Sequence, residues 1–281
     1  YAAYGVFAPS LKVPEAVGCL RAELPALNPA ALINATAFSA QGRDGSASPL
    51  SLTGCPVFQV ALSTARRKDW DLADRGLSPA DLAMHVVLPE VDGRLFAGVV
   101  SFKSPTKRDP DLEYSRFTHR ADPERVEAAL DRIEAHLRLA RQTPADKRLA
   151  LVLSTYPGRD YNLAHAVGLD ALASTSEILR ALATEGYDVT AEADLGARLS
   201  DETLTWPLSD YLAALDSLPA RLRADLTAAW GAPEQDPAIK DGLVHFRALR
   251  AGKALIALQP ERGDVQSRDD DYHDLDRTPR H

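Results

Sequence analysis

The stretch that most constrains the fold lies between residues 122 and 155. After Asp122-Pro123, the residues Val126, Leu130, Ile133, Leu137 and Ala140 recur at intervals of three and four, and the opposite face carries Glu, Arg and Asp. That is the period of an amphipathic helix, capped by Asp122 and stopped by Pro144. Arg148 to Thr155 (Arg-Leu-Ala-Leu-Val-Leu-Ser-Thr) follows almost at once. Its nearly unbroken apolar run is expected of a strand in the centre of a parallel sheet. A second helix, over about 171 to 185, ends at Gly186 as a C-cap. A strand between two helices points to an α/β class with mainly parallel sheets, flanking helices and Rossmann-like layers.

The rest of the chain fits that alternation. Pro14 to Leu24 reads as a short helix bracketed by Pro25 and Pro29. Ala31 to Phe38 and Val57 to Leu62 read as strands, and a polar loop, Ser39 to Ser48, follows the first. Ser78-Pro79 has the form of a helix start. Met84 to Leu88 reads as a strand ended by Pro89, and Leu95 to Phe102 as another. Residues 103 to 121 lack a strong period and read as an exposed loop. Beyond 186, short helices are expected at 209 to 215 and 219 to 230, and Leu243 to Phe246 with Ala254 to Leu258 suggests a hairpin. The tail, Asp264 to His281, is charged and aperiodic. The expected division is 1 to 145 and 146 to 281, the second part being the more Rossmann-like.

With 281 residues the chain is long enough for one large or two ordinary cores. A net charge of −8 argues against nucleic acid or an anionic membrane as the main partner. No apolar run approaches membrane-spanning length. Cys19 and Cys55, the two cysteines, lack zinc spacing and provide no disulfide framework, which fits a reducing cytoplasm. Tyr1 in place of Met, and the abrupt end at Arg277-Thr278-Pro279-Arg280-His281, lead us to expect a segment of a longer polypeptide.

Several stretches carry possible chemistry. Glu90 and Asp92 in Leu88-Pro89-Glu90-Val91-Asp92-Gly93 sit where an apolar run ends. They are either solvated turn acids or a pair able to accept protons or bind a divalent cation. The long loop from Ser154 to Asp170 offers Tyr156 and Tyr161 for stacking, Arg159 for a carboxylate, and His165 either as a metal ligand or as a hydrogen-bonded structural histidine. Gln259-Pro260-Glu261-Arg262-Gly263 is either an ordinary turn or a polar strand end. His85 reads as a core or sheet-face residue, His119 as part of a charged loop. There is no dinucleotide fingerprint, phosphate loop, zinc helix or nucleophile elbow, so any ATP chemistry belongs to another subunit.

In combination these stretches resemble a known family. Leu88 to Gly93, Val99-Val100-Ser101-Phe102-Lys103, Ser154 to Gly158, His165 to Asp170, Gly186-Tyr187-Asp188-Val189, Trp230-Gly231, Gln259 to Gly263 and Tyr272-His273-Asp274 occur in the order found in the large subunit of aerobic cobaltochelatase, the CobN type. They are also similar to the large, porphyrin-binding subunit of magnesium chelatase. The wording His165-Ala166-Val167-Gly168 resembles the cobalt branch more closely, whereas Arg280 and the tail after Gly263 depart from the pattern.

The resemblance implies an internal segment of a subunit that inserts Co2+, as substrate metal, into hydrogenobyrinic acid a,c-diamide on the route to cobalamin. It also implies an AAA+ ATPase subunit that uses ATP and Mg2+, and an integrin-like partner subunit. The resemblance supports Glu90 as the essential acid. Because Co2+ accepts imidazole and carboxylate ligands, His165 and Asp92 are the candidate metal partners, and Lys103, Tyr156, Arg159, Gln259 and Arg262 are the candidate tetrapyrrole contacts. Two other readings remain at this point: Mg2+ insertion into protoporphyrin IX, and a non-catalytic tetrapyrrole- or metallophore-binding scaffold.

Overall fold

The computed structural model describes residues 2–42, 45–73, 76–154, 165–166, 169–191 and 194–259. The chain divides into two compact units, Tyr1–Arg141 and Gln142–His281. Both are α/β.

The first unit is built on a four-stranded sheet in the order β1 (Leu32–Asn34), β2 (Val57–Ser63), β3 (Leu95–Pro105), β4 (Phe117–Ala121). The first three strands are parallel and β4 is antiparallel to β3. Helix α1 (Pro14–Leu27) packs Leu20 and Leu24 against Leu11, Ala40 and Leu50. It runs through Pro25, past the end expected at Leu24, and stops at Asn28, whose left-handed φ of 42° lets its N–H reach Pro25 O. Short helix α2 (Arg67–Asp71) brings Trp70 against the core of Ala61, Val99 and Phe102.

Between β2 and β3 the chain forms α3 (Pro79–Leu82), a π-helical turn at Ala83–Val87, and α4 (Leu88–Val91). This corrects the strand expected at Met84 to Leu88. An apolar run this short does not distinguish strand from helix. Ser78 decides the matter, because its side chain accepts from Asp81 N and starts a helix that Val86 and Val87 then continue.

Helix α5 (Pro123–Arg141) covers the sheet with Ala129, Ile133 and Leu137 on Phe58, Val60 and Ala97. Asp122 caps it by accepting from Arg125 N at 3.2 Å. Leu130 points outward. Small Ala129 takes the inner position and lets Arg132 reach the Ala97 carbonyl. Residues 103 to 121 are not a plain loop either. β3 continues to Pro105, β4 pairs with it, and an Asp109–Tyr114 bridge joins them. Charged side chains suit an exposed edge strand, which is why the apolar pattern is missing.

In the second unit, β5 (Leu149–Leu153) lies parallel to the last described strand, β12 (Ala254–Leu258), which pairs antiparallel with β11 (Ala248–Ala251). Leu149, Leu151 and Leu153 face a core of Leu179, Leu195, Leu199, Leu249 and Ile256, while Val152 is exposed. β5 is therefore an edge of the described three-stranded sheet, buried on one face, and not its centre. Leu179 comes from α6 (Ala171–Thr184), Leu195 and Leu199 from α7 (Leu195–Asp201), and Leu249 and Ile256 from β11 and β12 themselves. A second sheet, in the order β8 (Leu204–Pro207), β10 (Leu243–Phe246), β9 (Ile239–Lys240), is antiparallel and sits with α8 (Leu208–Asp216) and α9 (Ala220–Trp230). The two runs expected to form one hairpin thus belong to different sheets. A short pair, β6 (His165–Ala166) and β7 (Leu169–Asp170), precedes α6.

Candidate functional site

The helix from Pro79 to Val91 has its polarity reversed. Its inner face presents Asp81, His85 and Pro89, at intervals of four. Its outer face presents Leu82, Val87, Leu88 and Val91, all exposed, and among them one acid, Glu90. Ordinary surface helices place these residue types the other way round. A run of exposed apolar side chains around a single carboxylate makes this outer face a candidate binding surface.

Proline shapes this helix. Leu88 N–H donates to Ala83 O, five residues back, and Pro89 has no N–H at all. Met84 O is therefore left without a helical donor, and Phe38 N takes it at 2.8 Å. Phe38 adopts a left-handed φ of 68°, uncommon for a bulky residue.

A buried network then fixes the helix end. Asp92 accepts from Ser39 Oγ, from Ala40 N at 2.6 Å and from Arg94 Nη2 at 2.7 Å. The Asp92 and Arg94 side chains are 0% and 1% exposed. Arg94 Nη1 donates to Gln59 Oε1 at 3.0 Å, which also accepts from Asn34 Nδ2 at 2.7 Å. Gln41 Nε2 reaches Val91 O at 3.3 Å. Burial pulls the Arg94 guanidinium down from its usual value while Asp92 holds it up. Strands β1 and β2, the loop 36–41 and the turn at Gly93 are thereby locked around the base of Glu90, whose own side chain stays open.

The inner face is less saturated. Asp81 Oδ2 accepts from Thr64 N at 2.8 Å and Thr64 Oγ1 at 2.9 Å, while Asp81 Oδ1 and His85 Nδ1 are buried without a hydrogen-bond partner. Burial pushes the His85 imidazole below its usual value, with Asp81 opposing and His119 assisting.

Within the first unit, Glu90, Asp92 and Lys103 do not form one cluster. Glu90 is exposed at the end of α4, where the chain enters β3. Asp92 faces inward, with both oxygens engaged. Lys103 lies near the far end of β3. Eight residues at ~3.3 Å each put it about 26 Å along the strand from Leu95. In the other unit, Gln259 is half-buried and its N–H donates to Leu153 O at 2.8 Å. The His165 backbone pairs with Asp170 in β6. Tyr156, Arg159 and Arg262 lie outside the described residues. Among the described residues, no three His, Cys, Asp or Glu side chains are grouped to hold a metal ion. Sequence reasoning passed over Ser39, Gln59 and Arg94. The Asp-x-Arg spacing at 92–94 was the available signal.

Comparison with known proteins supplies the family. Residues 2–281 match the family described as CobN/Magnesium Chelatase. The chain belongs to that family. It is 37% identical over 98% of its length to the aerobic cobaltochelatase subunit CobN of a Sinorhizobium species, and covers 23% of that protein. It is 24% identical, over 69% of its length, to a magnesium-chelatase subunit of Rhodobacter capsulatus, and covers 18% of it. In three dimensions it superposes on the catalytic subunit of cobaltochelatase from Mycobacterium tuberculosis with a TM-score of 0.73 and 30% identity, covering 96% of this chain and 24% of the other. The chain thus spans about a quarter of these two cobaltochelatase subunits. Among the described residues no helix is long and apolar enough to cross a membrane.

Proposed function

We propose that this chain is the part of a metal-chelatase large subunit that presents a proton-accepting carboxylate, Glu90, to a tetrapyrrole. The observation that carries the reading is the reversed helix, which sets one exposed carboxylate among Leu82, Val87, Leu88 and Val91. A tetrapyrrole has flat apolar faces and inner N–H groups that must lose protons before a divalent metal can bind. Apolar side chains suit the face. A carboxylate within hydrogen-bond reach takes a proton, and it can hold the incoming cation as water leaves. Asp92 serves this chemistry indirectly, as the fixed anchor that orients the turn after Glu90, and is not assigned to the metal.

The metal is Co2+ and the ring hydrogenobyrinic acid a,c-diamide, in cobalamin biosynthesis. The higher identity to cobaltochelatase subunits than to the Rhodobacter magnesium-chelatase subunit supports that choice. ATP is hydrolysed by an AAA+ partner subunit acting with an integrin-like one in the cytoplasm. His165, Tyr156, Arg159, Gln259 and Arg262, from the second unit, are proposed as further contacts to ring and metal.

The test is reconstitution of the full-length subunit with its two partner subunits. Insertion is measured for Co2+ with hydrogenobyrinic acid a,c-diamide and for Mg2+ with protoporphyrin IX. ATP-dependent turnover of the first pair, with none of the second, is expected. Turnover of the magnesium pair alone would overturn the cobalt assignment, and turnover of neither would overturn the chelatase reading.

A further inference from the structure

The carboxyl ends of β2 and β3 carry a second group of side chains that the chemistry around Glu90 does not use. The β3–β4 register sets Lys103 opposite His119 and Pro105 opposite Phe117. Ser101, Lys103, Phe117 and His119 therefore share one face of the sheet. Arg66, in the segment leaving β2, lays its guanidinium over the Phe117 ring at 5.1 Å. Lys103 N donates to Ala65 O at 2.9 Å, which ties that segment to β3. His119 Nδ1 lies 3.2 Å from Ser101 Oγ, so its other ring nitrogen is free of that contact.

Three cationic or proton-accepting groups are gathered here in a chain of net charge −8. Among the described residues none of the three makes an ion pair. Asp81, the acid whose charge reaches His119, is buried and bonded to Thr64. The charged form of His119 is disfavoured first by partial desolvation and then by the nearby Lys103, a repulsion that a bound anion would relieve. Phe117 keeps 44% of its surface exposed, so the Arg66–Phe117 stack offers a flat apolar platform beside the cations. Open α/β sheets collect ligands at the carboxyl ends of their parallel strands.

We propose that Arg66, Lys103 and His119 form a binding site for the carboxylate groups of a planar ligand, with Phe117 against its flat face. The ligand class is a tetrapyrrole with ionised acid side chains, so the proposal deepens the ring-binding reading and rests on it. This site and Glu90 lie at opposite ends of β3, farther apart than one ring spans. The site is therefore a docking position distinct from the one over Glu90.

The experiment titrates the full-length subunit with mesoporphyrin IX and with its dimethyl ester, following quenching of tryptophan fluorescence. Wild type is expected to bind the diacid at least tenfold more tightly than the ester. In the Arg66→Gln/Lys103→Gln double variant the diacid should weaken to the level of the ester, with the ester unchanged, and Lys103→Arg should retain the preference. Equal binding of diacid and ester by wild type would overturn the inference and leave the ring-binding reading standing. So would a double variant that binds the diacid normally, or one that loses both ligands alike. Binding of neither by wild type would overturn the ring-binding reading itself.

Discussion

At the residue scale, Glu90 and Asp92 are two positions apart and physically opposite. Glu90 is exposed and Asp92 has no exposed side-chain surface. Replacing Asp92 by Ala strands the buried Arg94 charge and frees Ser39 and Ala40, and we expect a loss of about 3–5 kcal/mol in urea unfolding. Glu90→Gln should stay within about 0.5 kcal/mol of wild type in the same measurement. A neutral Asp92→Ala would remove the clamp from the account. Two histidines, buried His85 and surface-exposed His119, give a pH dependence. His85 is held below the ordinary imidazole value chiefly by burial, and so is His119, with Lys103 contributing. As pH falls through about 6.5, the unfolded chain therefore takes up more protons than the folded one. Stability is full above that pH and declines below it. The urea midpoint at pH 5.5 should lie below that at pH 7.5, and His85→Gln should shrink the difference. A midpoint that rises on acidification would contradict the burial of His85.

At the element scale, the π-helical turn is the consequence of Pro89. Pro89→Ala restores a backbone N–H that competes for the helical carbonyls, so the Phe38 bond to Met84 O should weaken. Faster hydrogen exchange at the Phe38 amide is the readout, and unchanged exchange would mean that proline does not set the turn. In the second unit, Gly252 turns β11 into β12 at φ 64°, where an added Cβ would sit 2.5 Å from Asp188 O. Gly252→Ala should cost about 2–4 kcal/mol in thermal or urea unfolding, combining left-handed strain with the clash. The elements with strong periodicity, α5 and α6, were legible in the sequence. The helix carrying Glu90 was not, since the short run Met84 to Leu88, apolar but for His85, fits a strand equally well, and the helix start at Ser78-Pro79 does not by itself say how far the helix runs. β4 escaped notice because an edge strand carries charge where a buried strand carries apolar side chains. The strand pairing of β10 and β12 is set by contacts distant in sequence, which local patterns do not report.

At the scale of the whole molecule, family membership was carried by several short stretches in order, and no single motif would have sufficed. The proposed ring-binding surface was only partly legible. Glu90 stood out in the sequence as a candidate, but its apolar surroundings depend on a helix turned outward, and Arg66 and His119 come together only through the β3–β4 register. The central proposal is Glu90 acting as proton acceptor on a ring-binding surface, in a chain that spans about a quarter of the cobaltochelatase subunits it matches. The most direct measurement is single-turnover Co2+ insertion by the full-length subunit with its partners, comparing wild type, Glu90→Gln and Glu90→Asp, with ring affinity measured in parallel. Insertion by Glu90→Gln should fall by at least about 100-fold with ring affinity unchanged, and Glu90→Asp should keep part of the rate. Insertion at the wild-type rate by Glu90→Gln would contradict the account.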